Sequence, residues 1–255
     1  MPDAPAPVPV PGATRRVVLT GAAGRIGRSV TEHLGSRWDL VLTDTRSADD
    51  VHGLTALDVS DLDACRAAFA DADAVVHLAA DPSPDATFSD LLSPNLVGPY
   101  AVARAAAESG VRRLVLASSL HAVSGMPSAV QRRTGDRPRP ANLYGATKAW
   151  SEAVGAMTAS TTATTVVALR IGYFHLERPA ETGDPLERTA WLSGRDAAEL
   201  VRAAVEADLP ASAAGFVVAN GVSANRHLAA DLEETRASLG YAPVDDAWAD
   251  AWADA

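Results

Sequence analysis

The chain has 255 residues, 47% of them hydrophobic, with a formal net charge of -10 and a pI near 5.0. This length can bury a substantial core, and the acidic balance argues against nucleic acid or an anionic membrane surface as main partner, because both select basic surfaces. Cys65 is the single cysteine, which excludes an internal disulfide and makes a cytoplasmic protein the simplest expectation.

The opening residues 1–14, "MPDAPAPVPVPGAT", alternate proline with small residues and lack the basic start and apolar stretch of an export signal, so they read as a disordered tail. "RRVVLT" is then a short β-branched run ending at glycines, and "RIGRSVTEHL" carries helical spacing up to Gly35, a helix stop. Further strands are expected in "WDLVLTD", "LTALDVSD", "ADAVVHLAA", "VRRLVLASS", "TTVVALRI" and "GFVVAN". Helices are expected at "LDACRAAFA", near "NLVGPYAVARAAAESG", around "NLYGATKAW", from near Asp196, and finally up to Gly240. Residues 172–190 read as a loop. No apolar run is long enough to cross a bilayer. In "DDAWADAWADA" the tryptophans fall four apart, which on a helix would let them cover the core edge or bind a partner.

Apolar strands spaced by helices imply an α/β fold, a doubly wound parallel sheet of the Rossmann type, whose ligands bind at the carboxyl ends of the strands. Residues 15–171 would form the dinucleotide-binding core, and 172–255 a small substrate-binding part completing one domain.

"TGAAGRIG" follows the first strand and opens the first helix, the setting a dinucleotide-binding turn requires. Gly21, Gly24 and Gly27 would let the backbone approach a pyrophosphate, with Arg25 and Ile26 at the helix N-terminus that favours its charge. Asp44, ending the second strand, is placed to take the adenosine ribose hydroxyls; this favours NAD over NADP, although nearby Arg46 keeps NADP open. Asp58 and Val59 would meet the adenine, or Asp58 would cap the next helix. Leu78, Ala79 and Ala80 supply small residues beside the nicotinamide ribose, whereas His77 reads as a packed core histidine. Ile171 ends the sixth strand on the same side.

Tyr144 and Lys148 lie four apart, so a helix stacks phenol and ammonium on one face, and a positive charge there favours the phenolate. Ser118 and Ser119 could polarise a substrate oxygen beside that tyrosine. Asn95 either caps a helix or holds a water in a proton relay to Lys148. The six histidines show no paired metal-ligand spacing, so no metal is expected.

"TGAAGRIG", "HLAA", "ASS" and "YGATK", in this order, resemble the extended branch of the short-chain dehydrogenase/reductases over about Arg16 to Gly240. The resemblance implies Tyr144 as general acid/base, Lys148 as the residue that holds the nicotinamide ribose and lowers the tyrosine pKa, and Ser119 as the substrate-orienting hydroxyl. "VLTGAAGRIG", "LASSLHAVSG", "NLYGATKAWSE", "LRIG", "AWLSGRDAAELV" and "GVSAN" are similar to uronate dehydrogenases, which oxidise the anomeric carbon of a uronic acid to an aldarolactone with NAD. His121 matches a histidine near the sugar; its other reading is an exposed loop residue. Leu120, Ser83 beyond Asp81-Pro82, and Tyr173 stand where that family has other substrate contacts. A carboxylate would need an arginine from the loop after the sixth strand, Arg178 or Arg188, each of which otherwise reads as a surface charge. The implied substrate is a sugar acid or related polar alcohol, and family analogy implies a homodimer. The alternatives are an epimerase or dehydratase that retains its NAD, a tailoring reductase, and a non-catalytic NAD-binding sensor or scaffold.

Overall fold

The computed structural model describes residues 14–46, 48, 51–180 and 183–249. Of the tail expected over residues 1–14, all but Thr14 lies outside these. The elements run β1 (Arg16–Thr20), α1 (Arg25–Leu34), β2 (Asp39–Asp44), β3 (Thr55–Ala56), α2 (Leu62–Ala68) and β4 (Ala74–His77). Then come α3 (Phe88–Leu91), α4 (Gly98–Glu108), β5 (Arg113–Ser119), α5 (Leu143–Thr161), β6 (Thr165–Ile171) and β7 (Tyr173–Phe174). The chain closes with α6 (Pro185–Ala190), β8 (Trp191–Leu192), α7 (Gly194–Glu206), β9 (Phe216–Gly221) and α8 (Glu233–Leu239).

Seven strands form one sheet in the order β3-β2-β1-β4-β5-β6-β9, every pairing parallel, and β7 pairs with β8 apart from it. The strands alternate their side chains between two cores. Val17 and Leu19 of β1 join Val30 of α1 and Leu200 and Val201 of α7 on one face. Val18 joins Cys65, Val102 and Val154 on the face covered by α2, α4 and α5. A fully buried Val or Leu contributes about 1.5–3 kcal/mol, so these near-continuous apolar strands dominate the stability of the sheet.

Several boundaries differ from the sequence expectation. The helix expected near Asn95 begins earlier, at Phe88, because Thr87 and Asp90 form a reciprocal capping box. It runs through a π turn over Leu92–Val97 into α4. The wide turn accommodates Pro94, which has no N–H to give and would crowd the carbonyl behind it. Asn95 thus lies inside a helical run and is not a cap. The stretch 172–190 is not all loop: it holds β7 and α6, too short to leave a period, with Asp184 capping α6 and Pro185 in its first turn. The helix expected from near Asp196 starts at Gly194, since Ser193 caps it by accepting from Asp196 N. Gly35 does end α1, but in right-handed geometry at φ -58°.

One buried ion pair was not anticipated. Arg170, at the end of β6, gives Nε and Nη2 to the Glu152 carboxylate at 2.8 Å each, with side chains 2% and 6% exposed. Ser118 Oγ donates to the same carboxylate at 2.6 Å, and Arg170 also donates to the carbonyls of Arg133, Thr134 and Asp136. This network locks α5 to β5, β6 and the 133–136 loop. Arg170→Met strands a buried carboxylate and should destabilise by about 3–5 kcal/mol in urea titration, whereas breaking the exposed Arg16–Asp39 pair costs under about 1 kcal/mol. An Arg170→Met/Glu152→Leu double variant should recover most of the loss, and a single variant of wild-type stability would refute the assignment.

Candidate active site

The sequence-predicted residues gather at the carboxyl ends of β1, β2, β4, β5 and β6. Gly21 follows β1 at φ +75°, and a Cβ there would lie 2.6 Å from Ala79 N and 2.8 Å from the Leu78 carbonyl carbon. Gly27 meets the same turn, since its Cβ would lie 2.4 Å from Gly21 O. Gly24 precedes α1 and offers no side chain to cap it, so the N-terminus with Arg25 and Ile26 presents its first N–H groups to an anion. These features fit a pyrophosphate. Gly21→Val should abolish NADH binding in a fluorescence titration while the purified protein keeps its far-UV spectrum; undiminished binding would sink the assignment.

Asp44 is buried and anchored to that turn, its Oδ2 accepting from Ala23 N at 3.1 Å. Asp58 is not a helix cap. Asp61 caps α2, and Asp58 accepts from Ser60 N and Oγ. Val59 is 4% exposed and packs beneath Gly98. His77 is the packed histidine expected: 4% exposed, Nδ1 2.8 Å from Thr20 Oγ1, and held neutral because burial and then the Lys148 charge push its pKa down to about 3.

Asn142 caps α5, its Oδ1 accepting from Gly145 N at 2.7 Å, and so fixes Tyr144 and Lys148 in the first two turns. Lys148 Nζ lies 5.5 Å from the Tyr144 ring centroid and donates to Ala117 O at 2.9 Å. Burial pushes Lys148 down to about 8. It also raises the Tyr144 phenol, with the Ser119 hydroxyl beside it pulling the other way and Asp81 adding to the rise. The net shift of the phenol is therefore upward, set by desolvation. Ser119 accepts from His121 N, whereas Ser118 points away to Glu152 and is not part of the site.

His121 is partly buried, edge-on to Tyr144 with ring centroids 5.5 Å apart. Because Asn142 Oδ1 is used by Gly145, its Nδ2 must donate to His121 Nδ1 at 3.0 Å. Burial keeps the ring neutral, which leaves the proton on Nε2. His121 is thus a fixed donor, not an exposed loop histidine. Asn95 donates to Asp81 O and Thr147 Oγ1 and accepts from Asp81 N, stapling the loop after β4 to α5; it shares no hydrogen bond with Lys148. Ser83 accepts from Asp85 N within that loop. Leu120 packs against the core on the α1/α7 side, Ile171 is 7% exposed at the end of β6, and Tyr173 is half-exposed and stacked on His175.

Arg178 and Arg188 are not solvated surface charges. Arg188 donates to Ala247 O at 3.0 Å and lies 4.5 Å over the Trp248 ring, while Arg178 donates to Ala249 O at 3.1 Å. Both hold the C-terminal segment, which Asp196 anchors by accepting from Val244 N and Asp245 N. Asn225 accepts from Ala247 N and donates to Trp191 O, and Ser223 accepts from Ser193 N; this explains why "GVSAN" and "AWLSG" occur together. Trp248 sits in a turn, not a helix, and Trp252 lies outside the described residues. Among the described residues, no helix is long and apolar enough to cross a membrane, and no three acidic, histidine or cysteine side chains form a metal cluster.

Residues 17–189 match the model of the NAD dependent epimerase/dehydratase family. The chain is 36% identical to the L-arabinose 1-dehydrogenase (NAD(P)(+)) of Haloferax volcanii, covering 91% of this chain and 97% of that one. It is 33% identical to the NAD-dependent glucose-6-phosphate dehydrogenase of the same organism, covering 90% and 93%. The crystal structure of uronate dehydrogenase from Agrobacterium tumefaciens superposes with a TM-score of 0.82 at 30% identity, over 91% of this chain and 85% of that one.

Proposed function

The chain belongs to the NAD dependent epimerase/dehydratase family, and on that premise we propose that it oxidises the anomeric carbon of a monosaccharide to a lactone. NAD, when bound, supplies the acceptor for the hydride that leaves this carbon. The observation that carries the reading is the convergence of Tyr144, Lys148 and Ser119 at the strand ends that also bear the glycine turn. Tyr144 takes the C1 hydroxyl proton, Ser119 orients that oxygen, and neutral His121 donates from Nε2 to a neighbouring sugar oxygen. Lys148 serves the ribose of the cofactor and the charge of the phenolate. Asn95 acts as a positioning residue through Asp81.

A uronic acid is the first substrate we propose, supported by the likeness to uronate dehydrogenases. A neutral pentose or hexose is the second, favoured by the donation of both candidate arginines to C-terminal carbonyls. The relatives act, by name, on arabinose, glucose 6-phosphate and uronate, which span both classes. Incubating the pure protein with NAD and glucuronate, galacturonate, arabinose, glucose and glucose 6-phosphate, and following NADH absorbance, separates them. Turnover of none, with NAD bound, contradicts sugar oxidation.

The same reading includes a homodimer. Phe88, Leu92, Val97, Tyr100, Trp150 and Met157 are exposed along α3, the π turn, α4 and α5, beside a cavity of about 240 Å³ lined by Tyr100, Arg104 and Met157. Met157→Asp should shift the mass in light scattering from dimer to monomer; a wild-type monomer at micromolar concentration rules the dimer out.

A further inference from the structure

We propose that Asp81 selects the substrate by accepting a hydrogen bond from the hydroxyl on C2, so that the protein favours sugars with a free hydroxyl beside the anomeric carbon. The inference rests on the proposed oxidation at C1 by Tyr144. Asp81 follows Ala80 in the loop after β4, and both of its backbone groups are fixed. Its N–H donates to Asn95 Oδ1 at 2.8 Å, and its carbonyl accepts from Asn95 Nδ2 at 2.9 Å. The same Nδ2 donates to Thr147 Oγ1, which in turn donates to the carbonyl of Tyr144. This chain of hydrogen bonds ties Asp81 to the turn of α5 that carries Tyr144. Pro82 and Pro84 restrict the loop further, since each ring fixes its own φ.

The side chain is held by one oxygen and open at the other. Oδ1 accepts from Ser83 N at 2.9 Å, and among the described residues no donor reaches Oδ2. Asp81 is partly buried, and its negative charge adds to the rise of the Tyr144 phenol, so the carboxylate stands within electrostatic reach of it. A carboxylate accepts hydrogen bonds and donates none. A C1 hydroxyl held by Tyr144 has two neighbouring oxygens on the sugar, the ring oxygen and the oxygen on C2. The ring oxygen has no hydrogen to give, so the C2 hydroxyl is the nearest group that can pair with Oδ2. That bond is charge-assisted, and the same anion favours the positive charge that develops at C1 as the hydride leaves.

The test compares each sugar of the panel above that reduces NAD with its 2-deoxy counterpart, using the full-length protein and NADH absorbance. Wild type should prefer the 2-hydroxy sugar by about 100-fold or more in kcat/KM, since a site built to bond a hydroxyl rejects the analogue lacking it. Asp81→Ala should cut that preference to below about tenfold, by slowing the 2-hydroxy sugar far more than the 2-deoxy one. A purely structural or electrostatic role for Asp81 would change both sugars alike. Asp81→Asn keeps an oxygen for Ser83 N and carries the test if the alanine variant does not fold; its preference should fall at least about fivefold, because the charge-assisted bond is lost. A wild-type preference below about threefold, or one that both variants leave unchanged within about threefold, overturns the proposal. If no sugar of the panel is oxidised while NAD binds, the reading of C1 oxidation itself fails and the proposal falls with it.

Discussion

Tyr144→Phe should lower kcat for sugar oxidation by roughly three orders of magnitude, within the range that a positioned proton acceptor supplies. NAD affinity and thermal stability should change little, because the hydrogen bonds that Lys148 and Glu152 make from α5 to the sheet remain. The pH profile carries the finer expectation. Burial raises Tyr144 and lowers Lys148 to about 8, so the ammonium is the first of the two to lose its proton, near pH 8. The phenolate that would accept the C1 proton is favoured by the Lys148 ammonium beside it. Oxidation measured as kcat/KM should therefore rise with pH until Lys148 loses its proton near 8, and then rise no further. A kcat within about tenfold of wild type in Tyr144→Phe places the proton acceptor elsewhere.

Lys148→Met should abolish measurable turnover and yet make the protein more stable. The Lys148 side chain is 5% exposed and its pKa falls from 10.5 to about 8 because burial disfavours the ammonium. For a group depressed in the fold, the stabilising contribution is present above 10.5 and is lost as pH falls through 8. At pH 7 the folded chain thus carries the cost of a buried charge, at about 1.4 kcal/mol per pKa unit. Losing the Ala117 hydrogen bond returns part of it, leaving a net gain of about 1–3 kcal/mol for methionine at pH 7. The gain should shrink toward pH 10.5. Chemical denaturation at several pH values checks this. A variant less stable than wild type at pH 7 would show that Lys148 is held by favourable interactions, not strained by burial.

The legible parts of this chain were those written in local pattern. Val17-Val18-Leu19 before Gly21 and the four-residue step from Tyr144 to Lys148 each encode their own geometry, and both lie where they were expected. Apolar strands spaced by helices also implied a sheet covered on both faces, and each face carries a core. What escaped depends on distant partners. Glu152 continues the Tyr144–Lys148 face one turn further, and a charged Arg170 interrupts an apolar strand; those two irregularities were the available signal for the buried pair. The π turn at Pro94 and the roles of Arg178 and Arg188 follow from segments far away in sequence, which periodicity does not report. The tyrosine pKa shows the same limit: spacing brought the lysine close, but burial, a property of the whole fold, decided the sign.

The measurement that bears most directly on the central claim is the fate of the C1 hydrogen. The protein should be incubated with NAD and a sugar deuterated at C1, and the recovered cofactor and sugar analysed by mass spectrometry. Net C1 oxidation predicts deuterium in the reduced cofactor in step with lactone formation, and no transfer with Tyr144→Phe. Recovery of NAD unreduced beside an epimerised or dehydrated sugar would contradict that account and assign the same residues to a transient oxidation.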